Sequence, residues 1–123
     1  MLTWPPTVRI FVSTQPTDMR RSFDGLAMMT RGNMGQDPLS GHLFVFFNRR
    51  GDRVKIMFWD RSGFCIWYKR LEQGVFRLPQ SIVNMPNPEV EVADLSLILE
   101  GIDLSSARRR KRFSLGTRQK KYG

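Results

Sequence analysis

The sequence predicts an α+β fold built on an antiparallel meander sheet of four to five strands. From Asp37 to Pro79, four apolar and aromatic runs alternate with three short polar breaks. The breaks at residues 48–51, 60–63 and 71–74 each end in glycine, as expected for turns that close on a left-handed residue. Their regular spacing is typical of short antiparallel strands joined by tight hairpins, and it therefore indicates a four-stranded meander.

A strand and a helix are predicted before the meander. Residues 8–13 are apolar enough to form a strand, and Thr17 or Asp18 is suited to cap the helix that follows. On one side of this helix, Arg20 and Asp24 are spaced for an ion pair. The other side is predicted to face the core, because its residues recur at the spacing of one helix face: Met19, Phe23, Leu26, Ala27 and Thr30.

A short strand and a second helix are predicted after the meander. Residues 79–88 are rich in proline and predict a linker. Residues 89–92 alternate in the manner of a short edge strand. Asp94 is placed to cap a helix that ends at Gly101 and whose apolar positions are Leu95, Ile98 and Leu99.

The side chains of the meander can be assigned to two faces if each hairpin has a three-residue loop. On that assumption Ile56 pairs with Phe44 and with Tyr68, and these residues share the core face. The fourth strand is placed by pairing Tyr68 with Leu78. The opposite face then carries a basic row across three neighbouring strands, flanked by large side chains: Lys55, Lys69 and Arg77, with Met57, Trp59 and Trp67.

Two interpretations of this opposite face are open. Like charges directly opposite one another destabilise a sheet, so the basic row requires solvent, an acidic partner or an anion. A basic row beside aromatic rings resembles the platforms on which nucleic-acid bases stack. The alternative is an ordinary outer face whose aromatic side chains are covered by another element of the protein.

The excess positive charge is concentrated at the C-terminal end. Residues 1–104 contain 12 Lys and Arg and 11 Asp and Glu, whereas residues 105–123 contain eight Lys and Arg and no acid. We therefore predict a single globular domain over residues 1–104, followed by a basic, flexible and disordered tail. The tail includes a basic run suited to phosphate contacts: Arg108, Arg109, Arg110, Lys111 and Arg112. The alternative is that the tail only increases solubility.

Few residues are available for catalysis or metal binding. The single Cys65 and the single His42 cannot form a zinc site, and Cys65 is predicted to be a buried apolar residue. The acids fall mostly at helix caps and turns, unlike the clustered carboxylates that hold the metal ions of two-metal enzymes. We therefore expect no enzymatic activity, no cofactor and no metal. A signal peptide and a membrane-spanning run are also missing from the sequence, so a cytoplasmic location is predicted.

Four segments of the chain resemble a known family. They are PTDMRRSFDGLA at residues 16–27, the stretches 37–60 and 68–79, and LILEGIDL at residues 97–104. In this order they resemble the small accessory protein, called TnpB, of the insertion-sequence 66 family of bacterial transposable elements. The resemblance covers residues 5–104 and implies a protein encoded beside a separate, larger DDE transposase and needed for efficient transposition. It implies no catalytic residues.

These observations predict a non-catalytic accessory protein for transposition that binds DNA, the separate transposase, or both. The predicted nucleic-acid contacts are the loop residues Arg49 and Arg50, the sheet residues Arg53, Lys55, Lys69 and Arg77, and the tail residues 108–112. The predicted partner-binding patch consists of Met57, Trp59 and Trp67. A general RNA- or DNA-binding module outside transposition is the alternative function, and the oligomeric state is left open.

Overall fold

A five-stranded mixed sheet and three helices make up the part of the chain that the computed structural model describes, residues 7–101. The strands are β1 (Ile10–Val12), β2 (Leu43–Phe47), β3 (Arg53–Asp60), β4 (Gly63–Arg70) and β5 (Glu89–Val90), and the helices are α1 (Phe23–Gly32), α2 (Gln80–Val83) and α3 (Val92–Leu99). Their order in the sheet is β4-β3-β2-β1-β5. The predicted α+β class is confirmed. The sheet is not wholly antiparallel, however, because β1 lies parallel to β2.

The parallel pairing of β1 and β2 requires a crossover connection, which contains α1. This helix begins at Phe23, after Ser22, and not at the predicted caps Thr17 or Asp18. Thr17 instead donates its backbone N–H to the Phe47 carbonyl at 2.8 Å, which holds the segment before α1 against the end of β2. Helix α1 covers one face of the sheet, where the core consists of Phe11, Leu26, Ala27, Met29, Phe44, Phe46 and Met57.

The other face of the sheet is covered by α2 and α3. The burial of the three apolar residues predicted for α3 is confirmed. The helix begins at Val92, however, so Asp94 lies in its first turn and is not its cap. Gly101 has a φ of 78°, the left-handed conformation that commonly follows the end of a helix. The core on this face consists of Ile10, Val12, Leu43, Val45, Val54, Ile56, Phe76, Ile82, Val90, Leu95, Ile98 and Leu99.

The side chains of β3 lie on the opposite faces of the sheet from those predicted. The first hairpin loop contains residues 48–52, and the second has two residues, with Arg61 at a φ of 52°. Both loops were predicted to have three residues. As a result, Phe44 lies opposite Met57 instead of Ile56. Each register shifts by one residue, so β4 is displaced by two residues relative to β2 and Phe44 aligns through Met57 with Ile66. A displacement of two residues keeps the side chains of β4 on their predicted faces, and only those of β3 change faces.

The predicted fourth strand of the meander does not form. Residues 75–79 are not part of the sheet, and the chain turns towards the first hairpin loop, where the Phe76 N–H donates to the Gly51 carbonyl at 2.7 Å. The Phe76 ring is buried, with its centroid 5.6 Å from that of Phe47. The predicted pairing of this segment with β4 is therefore wrong, and β4 is an edge strand of the sheet.

The chain after the meander returns to the far edge of the sheet. A short helix, α2, lies where a linker was predicted. The predicted edge strand is present as β5, although it contains only Glu89 and Val90, and it pairs antiparallel with β1. The Arg9 guanidinium donates to both carboxylate oxygens of Glu89, at 2.7 and 3.0 Å, and so joins the two strands.

Replacing Phe44 with Ala is expected to lower the free energy of unfolding by about 3–5 kcal/mol, because the ring is fully buried and the change leaves a cavity. Phe23 supplies a matched control, since its ring is 44% exposed, and Phe23→Ala should cost about 1 kcal/mol or less. Chemical denaturation followed by circular dichroism measures both losses. Equal losses would contradict the burial of Phe44 beneath α1.

Candidate nucleic-acid interface

A cluster of arginines lies where the β2–β3 loop meets the last residues of β4. Arg53, at the start of β3, is directly opposite Arg70, at the end of β4. Arg49 and Arg50 lie in the adjoining loop and are exposed. We call these four residues the arginine surface. Because like charges directly opposite one another destabilise a sheet, the pair of Arg53 and Arg70 favours an anion between or above them.

The loop that presents Arg49 and Arg50 is held in one conformation by Asn48. The Asn48 side chain accepts a hydrogen bond from the Arg53 N–H at 3.0 Å and donates one to the Asp52 carboxylate at 2.7 Å. The backbone carbonyl of Asn48 accepts a hydrogen bond from the Gly51 N–H at 3.1 Å, which closes a four-residue turn. The two arginines therefore occupy the central positions of a fixed turn.

Two adjoining grooves run along the arginine surface. The first, of about 540 Å³, lies between the β2–β3 loop and residues 16–19. The second, of about 440 Å³, is lined by Arg53, Tyr68, Arg70 and Glu72. Arg53 borders both grooves, so an extended ligand can contact this guanidinium from either side.

The carboxylates near the arginine surface already have partners. Arg20 donates to Asp18 at 2.6 Å, and these hydrogen bonds hold the pKa of Asp18 at about 2. The hydrogen bond from Asn48 likewise lowers the pKa of Asp52. Glu72 accepts from Arg70 at 3.0 Å. The predicted Arg20–Asp24 ion pair is therefore replaced by Arg20–Asp18. Within residues 7–101, three members of the arginine surface form no ion pair with a carboxylate: Arg49, Arg50 and Arg53.

Lys55 lies on the same face as Arg53 but is buried. Its ammonium group donates to the carbonyls of Met19 and Arg21 at 2.8 and 2.7 Å, and it lies 4.8 Å from the centre of the Tyr68 ring. Only 8% of Lys55 is exposed. It therefore attaches the segment before α1 to the sheet.

The predicted basic row of Lys55, Lys69 and Arg77 does not form. Lys69 lies opposite Val54, on the face covered by α3, and its ammonium donates to the Leu99 carbonyl at 2.8 Å. A cation at this position stabilises the C-terminal end of α3. Arg77 is exposed but lies outside the sheet, and a DNA contact by Arg77 stays a prediction.

The three predicted partner-binding residues do not form one patch. Met57 is fully buried under α1, and the Trp59 ring packs on Phe64 with a centroid distance of 5.1 Å. Trp67 lies on the opposite face of the sheet and is 42% exposed. Nearby Cys65 is only half-buried, so the prediction of a buried cysteine is wrong. The predicted tail contacts at residues 108–112 lie outside the described residues.

The sequence prediction missed Arg70 of the arginine surface and Tyr68, which lines the second groove beside it. Tyr68 was assigned to the core, whereas 48% of it is exposed. Both residues face Arg53 and Lys55 only when the β3–β4 hairpin has a two-residue loop. Alternation gave no signal for this register, because the adjacent Lys69 and Arg70 lie on opposite faces of β4 and either register places one of them beside the basic residues of β3.

Between residues 7 and 101, no group of three or more His, Cys, Asp and Glu side chains is placed to hold a metal ion. His42 accepts a hydrogen bond from the Arg9 backbone N–H at 3.0 Å through Nδ1. Over the same range, no helix combines the length and apolar character needed to cross a membrane.

Comparison with known protein families tests the resemblance found in the sequence. A family model described as IS66 Orf2 like protein matches residues 8–109. The chain belongs to this family. Membership confirms the resemblance found in the sequence and supports a role associated with transposition. The match to the IS66 Orf2-like family continues past residue 104, the expected limit, and includes Arg108 and Arg109.

Two proteins of Sinorhizobium fredii (strain NBRC 101917 / NGR234) are similar to the chain over most of its length. The uncharacterized protein y4jC is 36% identical over 106 residues, which cover 84% of this chain and 86% of y4jC. The uncharacterized protein y4hO is 37% identical over 103 residues, which cover 84% of this chain and 88% of y4hO. No solved structure matches the chain.

Replacing Lys55 with Met is expected to lower the free energy of unfolding by about 1–3 kcal/mol, because the Met19 and Arg21 carbonyls lose their charged donor. Met keeps most of the apolar stem, so the change isolates the ammonium. Arg49→Met, at an exposed turn position, is the matched control and should change stability by about 0.5 kcal/mol or less. Thermal and chemical denaturation measure the difference, and an unchanged stability in Lys55→Met would show that this ammonium is solvated.

Proposed function

We propose that this IS66 Orf2-like protein is a non-catalytic accessory factor in the transposition of an insertion sequence, and that it binds the DNA backbone through the arginine surface. The observation that carries the proposal is the cross-strand pair of Arg53 and Arg70 beside the exposed Arg49 and Arg50. Membership of a transposition-associated family supports DNA as the anionic partner.

The chemistry of these residues suits phosphate groups. A guanidinium donates two parallel hydrogen bonds to a phosphate, and its charge replaces the condensed counterions of the duplex. The surface is built from a turn and two strand ends, which reach phosphates more readily than base edges in a groove. We therefore expect binding to duplex DNA to be weak, sensitive to salt and largely independent of sequence.

A contact with the separate transposase is a second part of the proposal. Trp67 supports it, because a 42% exposed tryptophan on the face opposite the arginine surface can anchor a protein partner. The two partners would then bind different faces of one sheet. In this arrangement the transposase supplies the carboxylates and metal ions for strand transfer.

Replacing Arg49 and Arg50 with Gln should weaken DNA binding and flatten its dependence on salt. If each arginine neutralises one phosphate, the slope of log K against log salt concentration should fall in magnitude by about 1.8. Arg31→Gln with Arg61→Gln removes the same charge from exposed positions outside the arginine surface and should leave the slope nearly unchanged. Fluorescence anisotropy over a series of KCl concentrations measures both slopes.

The same titration should be made on element-end and random duplexes, with and without the purified transposase. DNA binding by the chain alone supports the role of the arginine surface. Binding only in the presence of the transposase, with equal slopes for the two double variants, would overturn that role and favour a protein-binding subunit. Loss of the transposase interaction in Trp67→Ala would then identify its contact face.

Deleting residues 105–123 should reduce the magnitude of the salt slope by about 4 to 5, if roughly four to six of the tail charges contact phosphates. The midpoint of thermal unfolding should stay nearly constant, because the globular domain proposed for residues 1–104 does not need the tail. Differential scanning calorimetry and the anisotropy titration test these two expectations separately. A large drop in the midpoint would contradict the proposed domain boundary.

A further inference from the structure

The Tyr68 side chain is fixed on two sides and open on a third. The Lys55 ammonium lies over its ring at 4.8 Å, and the Tyr68 hydroxyl accepts a hydrogen bond from Arg53 Nη1 at 3.2 Å. The residue is nevertheless 48% exposed and lines the second groove together with Arg53 and Arg70. Because the ammonium occupies only one side of the ring, the exposed part of the residue leaves aromatic surface available to a ligand in this groove.

This fixed position favours binding of a flat ligand. Lys55 is itself held by two backbone carbonyls, so the cation and the ring form a rigid unit in the free protein. A ligand that stacks on a ring held in this way does not have to immobilise it, and less conformational entropy is lost on binding. The cation behind the ring also draws on its π electrons, which favours contact with an electron-rich aromatic system.

We propose that Tyr68 is a stacking platform for an unpaired base of single-stranded DNA, with Arg53 and Arg70 contacting the phosphates beside that base. This inference rests on the proposed DNA-binding function and names the form of DNA that the second groove accepts. Bases inside a duplex expose only their edges, because neighbouring base pairs cover their faces. A ring displayed on the sheet can therefore stack on a base that has left the duplex, and not on one inside it.

The arrangement of charges around Tyr68 agrees with a single-stranded DNA that crosses the β-sheet. Arg53 and Arg70 are direct neighbours across β3 and β4, and Tyr68 lies on the same face as both. Glu72 accepts a hydrogen bond from Arg70, and both residues line the second groove together with Tyr68. A base on Tyr68 would thus have an arginine near it on each of the two strands.

The test compares an oligothymidine with an oligomer of the same length whose sugars lack bases. The wild-type chain should bind the oligothymidine about 5- to 150-fold more tightly, the range that corresponds to stacking of one base on an aromatic side chain. Tyr68→Leu keeps an apolar side chain over Lys55 and should lose this preference, whereas Tyr68→Phe should keep most of it. Affinity for a duplex should be the same in all three proteins.

The outcomes separate this inference from the proposed function. Duplex binding without any preference for the oligothymidine over the abasic oligomer would overturn the platform and leave the arginine surface intact. Equal losses for single strands and duplexes in Tyr68→Leu would also overturn it. Absence of all DNA binding would overturn both proposals. The abasic comparison uses the unaltered protein, so it stays decisive even if Tyr68→Leu does not fold.

Discussion

The Lys55 ammonium is buried between β3 and the segment that leads into α1, where only new hydrogen bonds can compensate for its lost hydration. The carbonyls of Met19 and Arg21 supply these bonds, and so the segment is held over the sheet. The same ammonium supports one side of the Tyr68 ring. Residues 16–19, which line the first groove, and Tyr68, which lines the second, therefore both depend on the Lys55 side chain.

Local features of the sequence predicted several elements correctly because they are decided by nearby residues. Gly51 and Gly74 have the left-handed conformation expected at the ends of their turns. The apolar residues of α3 are buried as their spacing indicates. The faces of the meander are different, since both sides of the sheet are covered and apolar residues occupy both sides of β2 and β3. Alternation of polar and apolar residues then does not define the register.

The candidate site shows the same division between local and non-local information. Arg49 and Arg50 could be assigned to an exposed turn from the surrounding Asn and Gly alone. Arg70 and Tyr68 enter the site only through their register with β3, which depends on the length of a loop. The parallel pairing of β1 with β2 was missed because strands that pair across a crossover leave no mark in the local pattern.

The position of β1 has a consequence for how the chain reaches this fold. Ile10 pairs with Leu43 on one side and with Val90 on the other, so the first strand in sequence lies between partners that are distant along the chain. Hairpins close over short distances and form early, whereas such distant pairings carry a larger entropic cost of loop closure. During synthesis, β1 must wait until residue 90 has been added before both of its edges are paired. The antiparallel hairpins of β2 to β4 can assemble first, so the arginine surface can take shape before the sheet is complete.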